Sequence, residues 1–584
     1  MKNLFYLNKY FAKYRKLLVI GTFFILISNV FALYPAEFVR HAFDYIQNVL
    51  ENPTSDKKIH FYLLKFGGLI VLFAILKGIF MYFMRQTVIV MSRKIEFDLK
   101  NEIYKQYQNL SLSFYKKNNT GDLMNRITED VNRVRMYLGP ALMYAINMAF
   151  LFILVIGKML SINTTLTLYV LIPLPILAIA VYHVSNKINK NSERVQNQLS
   201  VLTSISQETF SAINIVKIFR NEENSFKLFF DSCKKYTNRQ LKLVSVEAWF
   251  FPLIILLIGT STITTIYIGG LENFKGKITT GNIAEFIIYV NMLTWPVASV
   301  GWVTSLVQRA EASMERINEF LKIETEIKNT NPNNTLIKGN ITFENVSFIY
   351  PDTGIKALKN ISFSLKENET LGIFGKTGSG KSTIANLLCR MYDIDNGEIF
   401  YDNTKIGDLN LFDLRKNIGY VPQDGFLFSG TVNENISFGI DSKEEEEEEI
   451  KEAAKTAEIT EEIESFPDKY NTIIGERGVQ LSGGQRQRLS IARAIYINPP
   501  IYIFDDCLSA IDANKEKLIL KNLSGKTKEN TNIIISHRTS SLQNANQIIV
   551  LDEGEIIEKG THNELINNNG FYAEMHKKQT TENL

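Results

Sequence analysis

Long apolar stretches alternate with basic, polar segments over the first 320 residues of the chain. A helix needs about 20 apolar residues to cross a bilayer. We predict membrane-spanning helices near 17–36, 61–84, 136–157, 163–184, 248–268 and 286–306. Lysines precede the first stretch and no small-residue cleavage site follows it, so this stretch is predicted to remain as a span.

The second stretch differs from the others because it contains Lys65 and Lys77. A lysine deep in a span either faces a water-filled cavity or extends its long side chain to the membrane surface. For Lys77 we favour the second interpretation, because the span can shift by a turn along the segment. Asn29, Asn147 and Asn291 are predicted to form hydrogen bonds between spans rather than to bind ligands.

The polar segments between the stretches differ in charge. Segments 85–139 and 187–246 each contain ten Lys or Arg residues, whereas 37–60 contains three. Because cytoplasmic loops carry an excess of Lys and Arg, the two basic segments are predicted to be cytoplasmic. Their apolar residues recur at helical spacing, so we expect helices that continue below the membrane.

The composition of the chain changes after residue 320. Residues 321–337, which include Pro332, are predicted to form an exposed linker between a membrane domain, 1–320, and an α/β domain, 338–578. The predicted fold class is a six-helix transmembrane domain with long cytoplasmic helical extensions, followed by an α/β P-loop domain.

Charge and cysteine content limit the classes of function. The chain has 64 Lys and Arg against 61 Asp and Glu, a net charge of +3, which predicts no nucleic-acid partner. Cys233, Cys389 and Cys507 have no paired or metal-ligand spacing, which is typical of a reducing compartment. The run of glutamates within 443–451 predicts a solvated helix face.

Residues 375–383 fit the pattern G-x-x-x-x-G-K-[ST] between an apolar run and a helical pattern. The members of this loop are Gly375, Lys376, Thr377, Gly378, Ser379, Gly380, Lys381, Ser382 and Thr383. The glycines let backbone N–H groups surround a polyphosphate, Lys381 reaches the terminal phosphates and the Ser382 hydroxyl can ligate Mg²⁺. The loop predicts a nucleoside triphosphate site, which many unrelated ATPases and GTPases share.

The nucleotide site also bears on the number of spans. The Lys-rich start of the chain is predicted to be cytoplasmic, and a site for ATP must be cytoplasmic as well. Only an even number of spans places both on the same side, so the lysine-containing stretch 61–84 is counted as a span.

A second anion site is predicted from Ser482, Gly483, Gly484 and Gln485. These residues directly precede an amphipathic helical pattern, and the N-terminus of a helix presents free backbone N–H groups to an anion. Two phosphate sites in one domain require two nucleotides or two chains.

Four further residues lie at the ends of predicted strands or directly after them. A buried-strand run ends at Asp505 and Asp506, where a carboxylate can hold the ligand shell of Mg²⁺. A later strand leads to His537, and Tyr350 at the end of an early strand is a candidate to stack on adenine.

These motifs resemble those of the ATP-binding cassette exporters of the multidrug-resistance and lipid-flippase type, as a half-transporter with one membrane domain and one cassette. In the membrane half, 113–126 is similar to the first cytoplasmic loop of the family and 310–317 to the exit from the sixth span. In the cassette, the loop 375–383, Gln423, the signature at 481–485, Asp505 and His537 match, and 475–478 resembles the loop before the signature.

The resemblance implies that two cassettes dimerise head to tail, with ATP between the loop 375–383 of one and the signature of the other. The tips of the two basic loops, near 116–122 and 213–223, would be coupling helices packed on the cassettes. The residues it assigns to catalysis are Asp506, His537 and Gln423. Those it assigns to Mg²⁺, partly through water, are Ser382, Gln423 and Asp505.

The expected function is ATP-driven export, or flipping between leaflets, of a hydrophobic or amphiphilic small molecule or lipid. The resemblance implies a bacterial inner membrane, with the N-terminus and the cassette in the cytoplasm. A nucleotide-gated channel or a regulatory membrane protein on the same fold is the alternative. The sequence does not identify the substrate, because the substrate pockets of such exporters are mostly apolar surfaces without a recognisable sequence motif.

Asp506 departs from the family pattern, in which Glu usually follows the aspartate of the buried strand. The missing methylene withdraws the carboxylate by about 1.5 Å. Two alternatives follow: a homodimer that hydrolyses ATP adequately, or a heterodimer in which this chain's loop forms a slow site. We lean to the heterodimer, because Asp here with an intact signature resembles the weaker half of such pairs.

Overall fold

The computed structural model describes residues 2–51, 59–440, 447–475, 481–509 and 511–582. The chain divides into two compact units. The first comprises Met1–Gln108 and Gly121–Ile323, and the second comprises Asn109–Thr120 and Glu324–Leu584. The segment Asn109–Thr120 of the first basic loop thus packs with the α/β unit, in contrast to the contiguous boundary that composition predicts near residue 320.

The described part of the chain before residue 323 is helical. Its α-helices are α1 Asn8–Lys13, α2 Arg15–Glu51, α3 Ile59–Asn109, α4 Leu112–Lys117, α5 Thr120–Asn125, α6 Val131–Met136, α7 Leu142–Ile162, α8 Thr164–Leu171, α9 Pro173–Ser211, α10 Ile213–Ile218, α11 Glu222–Glu247, α12 Phe250–Phe274 and α13 Thr280–Leu321. The predicted tip 213–223 contains the short helix α10, and the predicted tip 116–122 takes in the end of α4 and the start of α5.

Five helical stretches of the described chain are long and apolar enough to cross a membrane. They are Arg15–Glu51, Ile59–Asn109, Thr120–Ile162, Glu222–Phe274 and Thr280–Leu321, and each contains one predicted span. The remaining predicted span, 163–184, falls on α8 and α9. These helices are separated at Ile172 because Pro173 lacks the N–H that would continue the hydrogen-bond ladder. The total of six spans stays a prediction.

Helix α13 lies at the centre of the first unit, where it packs against α2, α7, α9 and α12. Its Phe286, Tyr289 and Leu293 are buried in a cluster with Val155 of α7 and Val170 of α8. Apolar side chains from several helices therefore converge on one face of α13.

The predicted hydrogen bonds between spans are partly confirmed. The amide of Asn29 on α2 donates to Oδ1 of Asn147 on α7 at 3.0 Å. For Asn291 the prediction is wrong, because its amide donates to the carbonyl oxygen of Ile287, one turn earlier in the same helix, at 2.9 Å.

A four-stranded and a six-stranded sheet form the framework of the second unit. Its strands are β1 Ile341–Ile349, β2 Lys356–Leu365, β3 Thr370–Gly375, β4 Asn396–Tyr401, β5 Thr404–Lys405, β6 Ile418–Val421, β7 Gly430–Thr431, β8 Ile473–Ile474, β9 Ile501–Asp505, β10 Thr531–Ser536, β11 Gln547–Asp552 and β12 Glu555–Gly560. The six-stranded sheet has the order β12-β11-β3-β10-β9-β6, and only β12 is antiparallel to its neighbour. Since parallel strands end at one edge of a sheet, the residues that follow β3, β6, β9 and β10 are brought together.

Helices flank the sheets of the second unit. They are α14 Lys381–Leu388, α15 Leu411–Lys416, α16 Val432–Ile436, α17 Glu447–Thr456, α18 Thr460–Ser465, α19 Gly483–Ile497, α20 Ala513–Lys526, α21 His562–Asn567 and α22 Phe571–Glu582. The glutamates at the start of α17 are exposed, as predicted for a solvated face, whereas 443–446 lie outside the described residues. Of the predicted loop 475–478, only Gly475 lies within the described residues.

Candidate nucleotide site

The loop 375–383 follows β3 at the carboxyl edge of the six-stranded sheet, and α14 begins within it. Gly378 and Gly380 have φ angles of +84° and +101°, in the region that favours glycine. A Cβ atom on Gly380 would also lie 2.5 Å from the carbonyl oxygen of Ala357 on β2. The glycine spacing in the sequence is therefore required by the path of this turn and by its close approach to β2.

The Lys381 side chain folds back over the loop. Its Nζ donates to the carbonyl oxygens of Gly375 at 2.8 Å and Lys376 at 2.7 Å. Burial lowers the pKa of Lys381, and the charges of Asp506 and Asp505 oppose that shift. An anion that approached the loop would offer this ammonium a better partner than two carbonyl dipoles.

Asp505, at the end of β9, is 2% exposed and holds two hydroxyl groups. The Ser382 Oγ donates to its Oδ1 at 2.9 Å, and the Tyr420 hydroxyl donates to its Oδ2 at 3.3 Å. Burial raises the pKa of Asp505, and the two hydrogen bonds oppose the rise. A hydroxyl and a carboxylate oxygen side by side are hard donors that suit Mg²⁺.

Asp506 is the next residue and has a φ of +45°. Its Oδ1 lies 2.8 Å from Nδ1 of His537, which follows β10, and its Oδ2 accepts from the Gln423 amide, after β6, at 3.4 Å. The ends of three neighbouring strands thus bring the three predicted catalytic side chains together, with Asp506 in contact with both His537 and Gln423.

One cavity of about 520 Å³ gathers most of the predicted nucleotide-binding residues. The predicted residues that line it are Tyr350, Thr377, Gly378, Gly380, Lys381, Ser382, Thr383, Gln423, Asp505, Asp506 and His537. Three members of the loop are absent from the described lining: Gly375, Lys376 and Ser379. The Lys376 ammonium lies instead 4.9 Å from the centre of the Phe571 ring.

The sequence did not indicate several lining residues outside the loop. Lys356 and Lys359 on β2 and Glu553 after β11 face the same cavity. No motif marks these positions, because only the pairing of strands brings them to the loop.

The signature residues 482–485 lie at the N-terminus of α19. Ser482 caps α19: its Oγ accepts from the Gln485 N–H at 3.2 Å, and the Gln485 side chain accepts from the Ser482 N–H at 2.9 Å. Ser482, Gly483, Gly484 and Gln485 are absent from the described lining of the nucleotide cavity. This second helix N-terminus is therefore a separate candidate anion site.

Helix α4 contacts the part of the cavity that contains Tyr350. The Lys116 ammonium lies 4.7 Å from the centre of the Tyr350 ring and 5.5 Å from that of Tyr392, and Leu112 packs on the apolar core beneath them. The Tyr350 hydroxyl is 3.0 Å from Oγ1 of Thr383 in the phosphate loop. A continuous set of contacts therefore links the first loop tip with the nucleotide loop.

Comparisons with known proteins agree with this arrangement. Residues 18–297 match the family model of the ABC transporter transmembrane region, and residues 358–509 match that of the ABC transporter cassette. A probable multidrug resistance ABC transporter ATP-binding/permease protein of Bacillus subtilis is 33% identical, over 98% of this chain and 97% of that protein.

Two further similarities cover most of the chain. An ATP-dependent lipid A-core flippase of Aliivibrio fischeri is 33% identical over 82% of each protein. The structure of a bacterial Atm1-family ABC exporter with ATP bound has a TM-score of 0.77 and 25% identity, and the match covers 97% of this chain and 99% of that one.

Proposed function

This chain belongs to the ABC transporter family, and we propose that it works as one half of a dimeric exporter in the bacterial inner membrane, with its N-terminus and cassette in the cytoplasm. It is a membrane protein that binds and hydrolyses ATP and couples hydrolysis to export or flipping. The proposed substrate is a hydrophobic or amphiphilic small molecule or lipid. The domains are a membrane part at 1–320, a linker at 321–337 and a cassette at 338–578, with α4 seated on the cassette.

The observation that carries the proposal is the shared cavity of Lys381, Ser382, Asp505, Asp506 and His537. Lys381 binds the terminal phosphates, and Tyr350 stacks on adenine. Ser382 and Asp505 hold Mg²⁺, with Gln423 through water. Mg²⁺ bound there neutralises charge on the phosphates.

A second chain is proposed to complete the site. The signature 482–485 is apart from the cavity of its own chain, so its free helix N-terminus is available to the phosphates of a nucleotide bound by a partner. Loss of the γ-phosphate would remove the charge that joins the two cassettes. Nucleotide state then biases the membrane part between two conformations.

The proposed partner is a different half-transporter. Both carboxylate oxygens of Asp506 lie within 3.0 Å of the His537 ring nitrogen, so neither is directed only at an attacking water. The chain's own loop would therefore hold ATP and hydrolyse it slowly, while its signature serves a faster site on the partner.

Transport by inside-out vesicles tests this function against the channel alternative. We expect accumulation of a hydrophobic dye or lipid analogue that requires ATP and stops with a non-hydrolysable analogue. Flux that persists with the analogue would support a gated channel, because gating requires nucleotide binding alone.

A further inference from the structure

His537 lines the nucleotide cavity and is held from two sides. Its ring nitrogen Nδ1 lies 2.8 Å from Oδ1 of Asp506. Its backbone carbonyl oxygen accepts from Nε2 of Gln579, 42 residues later on α22, at 2.7 Å. Gln579 belongs to none of the cassette motifs named above and is absent from the described lining of the cavity. The amide group therefore reaches His537 from outside the nucleotide site.

The same amide group also binds Thr539, the second residue after His537. Its Oε1 accepts from the Thr539 N–H at 2.9 Å and from the Thr539 hydroxyl at 3.0 Å. Rotation of the amide by half a turn would place its NH2 group against the Thr539 N–H and its oxygen against the His537 carbonyl oxygen, and neither contact is a hydrogen bond. The Gln579 amide thus has one orientation, in which it joins the backbone on both sides of Arg538.

His576, one turn earlier on α22, contributes to this arrangement. Its Nδ1 lies 2.8 Å from Oγ1 of Thr539. A hydroxyl group has a single hydrogen, and that of Thr539 is directed to Gln579, so the His576 ring is the donor. Since Thr539 is 1% exposed, these two side chains of α22 replace the water that would otherwise bind its N–H and hydroxyl groups.

Helix α22 is attached to the sheet at its other end. The carboxylate of Glu558 on β12 accepts from the Phe571 N–H and from the Tyr572 N–H, the latter at 3.3 Å. Tyr572 is fully buried, and its ring centre lies 5.2 Å from that of Phe374 on β3. Because these contacts hold the helix in place without Gln579, the Gln579 amide restrains the loop after β10 against a fixed support.

We propose that Gln579 is a positioning residue for His537: it fixes the backbone at 537–539 against α22 and so sets where the imidazole meets the bound nucleotide. The inference rests on the proposed function, which assigns His537 to hydrolysis. Without Gln579, Asp506 would hold the ring while the backbone behind the ring shifted. Since misplacement of a catalytic group by about 1 Å can cost roughly 100-fold in rate, a restraint on this loop acts directly on hydrolysis.

Steady-state hydrolysis by the purified full-length chain in nanodiscs tests the proposal. Gln579→Ala should lower kcat by about tenfold and change KM for ATP less than about twofold, because the groups that bind ATP are untouched. Gln579→Glu keeps an acceptor for Thr539 but replaces the donor to His537 by a carboxylate oxygen, so kcat should fall at least as far. Thr580→Ala, an exposed neighbour on the same helix, is the control and should leave both constants unchanged. An unchanged kcat in Gln579→Glu would mean that the side chain only anchors α22, which would overturn the inference.

A double replacement tests whether Gln579 acts through His537. In a His537→Ala background, Gln579→Ala should lower kcat less than about twofold further, since the group that it positions is gone. A further loss as large as that in the wild-type chain would show another route of action and would also overturn the inference.

Hydrogen exchange without nucleotide measures the restraint itself. Gln579→Ala should speed exchange in the peptide 537–542 by at least about fivefold, whereas strand β9 should keep its protection and Thr580→Ala should change neither. Unchanged exchange at 537–542, or an equal rise in β9, would refute positioning, the second because the whole cassette would then depend on Gln579. A His537→Ala chain that hydrolyses ATP at the wild-type rate would count against the proposed function, while the exchange at 537–542 decides whether Gln579 holds this loop.

Discussion

The Nδ1 atom of His537 lies 2.8 Å from Oδ1 and 3.0 Å from Oδ2 of Asp506. The ring nitrogen thus bridges both oxygens of the carboxylate. A glutamate at this position has one more methylene, about 1.5 Å of extra reach, and can extend past the imidazole toward a nucleotide. The short side chain of Asp506 and its contact with His537 therefore reduce the access of an attacking water to the carboxylate.

We predict that Asp506→Glu raises the ATPase rate of the purified chain. Misplacement of a catalytic group by about 1 Å can cost roughly 100-fold in rate, so a gain between about 5-fold and 100-fold is expected. Phosphate release at saturating ATP measures it. Asp408→Glu, an exposed position outside the described nucleotide cavity, is the control and should leave the rate unchanged. A wild-type chain that already hydrolyses ATP rapidly, with no gain in the variant, would favour a functional homodimer.

Lys381→Ala should abolish hydrolysis and transport. Removal of a group that stabilises charge in the transition state costs about 100-fold or more in rate. The membrane part should stay folded, because among the described residues the Lys381 ammonium bonds to carbonyl oxygens of its own loop. Phosphate release and vesicle uptake are the measurements, with Lys416→Ala on the exposed side of α15 as the control. Uptake at the wild-type rate in the homogeneous variant would contradict the assignment of this loop as the motor.

Lys116→Gln should uncouple transport from hydrolysis. The side chain contacts Tyr350 and Tyr392, and such contacts are worth about 0.5–1 kcal/mol at exposed sites, so ATP affinity should change less than about fivefold. The ratio of substrate transported to ATP hydrolysed should fall. Lys117→Gln is the matched control, because no described ion pair or ring contact involves Lys117. Equal losses of ATP binding and of transport would argue against a coupling role for α4.

Arg316→Ala should destabilise the membrane part. Asp130 is 2% exposed and accepts from Ser313 Oγ at 2.8 Å and from the Arg316 guanidinium. Without Arg316 the buried carboxylate loses its counter-charge. Since the Arg316 side chain is 46% exposed, we expect a modest loss of about 1–2 kcal/mol.

A double-mutant cycle checks this ion pair. Thermal unfolding in detergent should show a lower Tm for Arg316→Ala, and the further addition of Asp130→Asn should recover part of the loss because no buried charge remains. Additive effects of the two replacements would mean that the pair contributes no coupling energy. Ser313 and Arg316, which both contact Asp130, lie within the segment 310–317.

The local pattern of residues was sufficient to predict much of the secondary structure and several residues of the candidate site. The length of apolar stretches predicted the helices of the membrane part, because a span must satisfy its backbone within one segment. The loop 375–383 was readable because a polyphosphate requires glycines, a lysine and a hydroxyl at fixed spacing. Asp505, Asp506 and His537 were found because each directly follows a run of buried strand residues.

Tertiary structure decided which residues meet. Sequence could not place Lys356, Lys359 and Glu553 at the nucleotide cavity, since their approach depends on strand pairing between distant segments. The residue pattern by itself did not show that Asn109–Thr120 packs with the cassette, and only the family resemblance suggested it, for the tip near 116–122. A surface helix of six residues carries too short a pattern to reveal its partner.

Lys77 shows most clearly what the sequence determines and what only the tertiary structure decides. The sequence determined that a lysine lies within an apolar stretch, and the helical rise alone allowed it either to reach the membrane surface or to face a cavity. The register of α3 against α2, fixed by side-chain packing and seen in the contact of Ser28 with the Lys77 carbonyl, places it at a cavity. Spacing along one helix determines which residues share a face, but only packing between helices determines what that face meets.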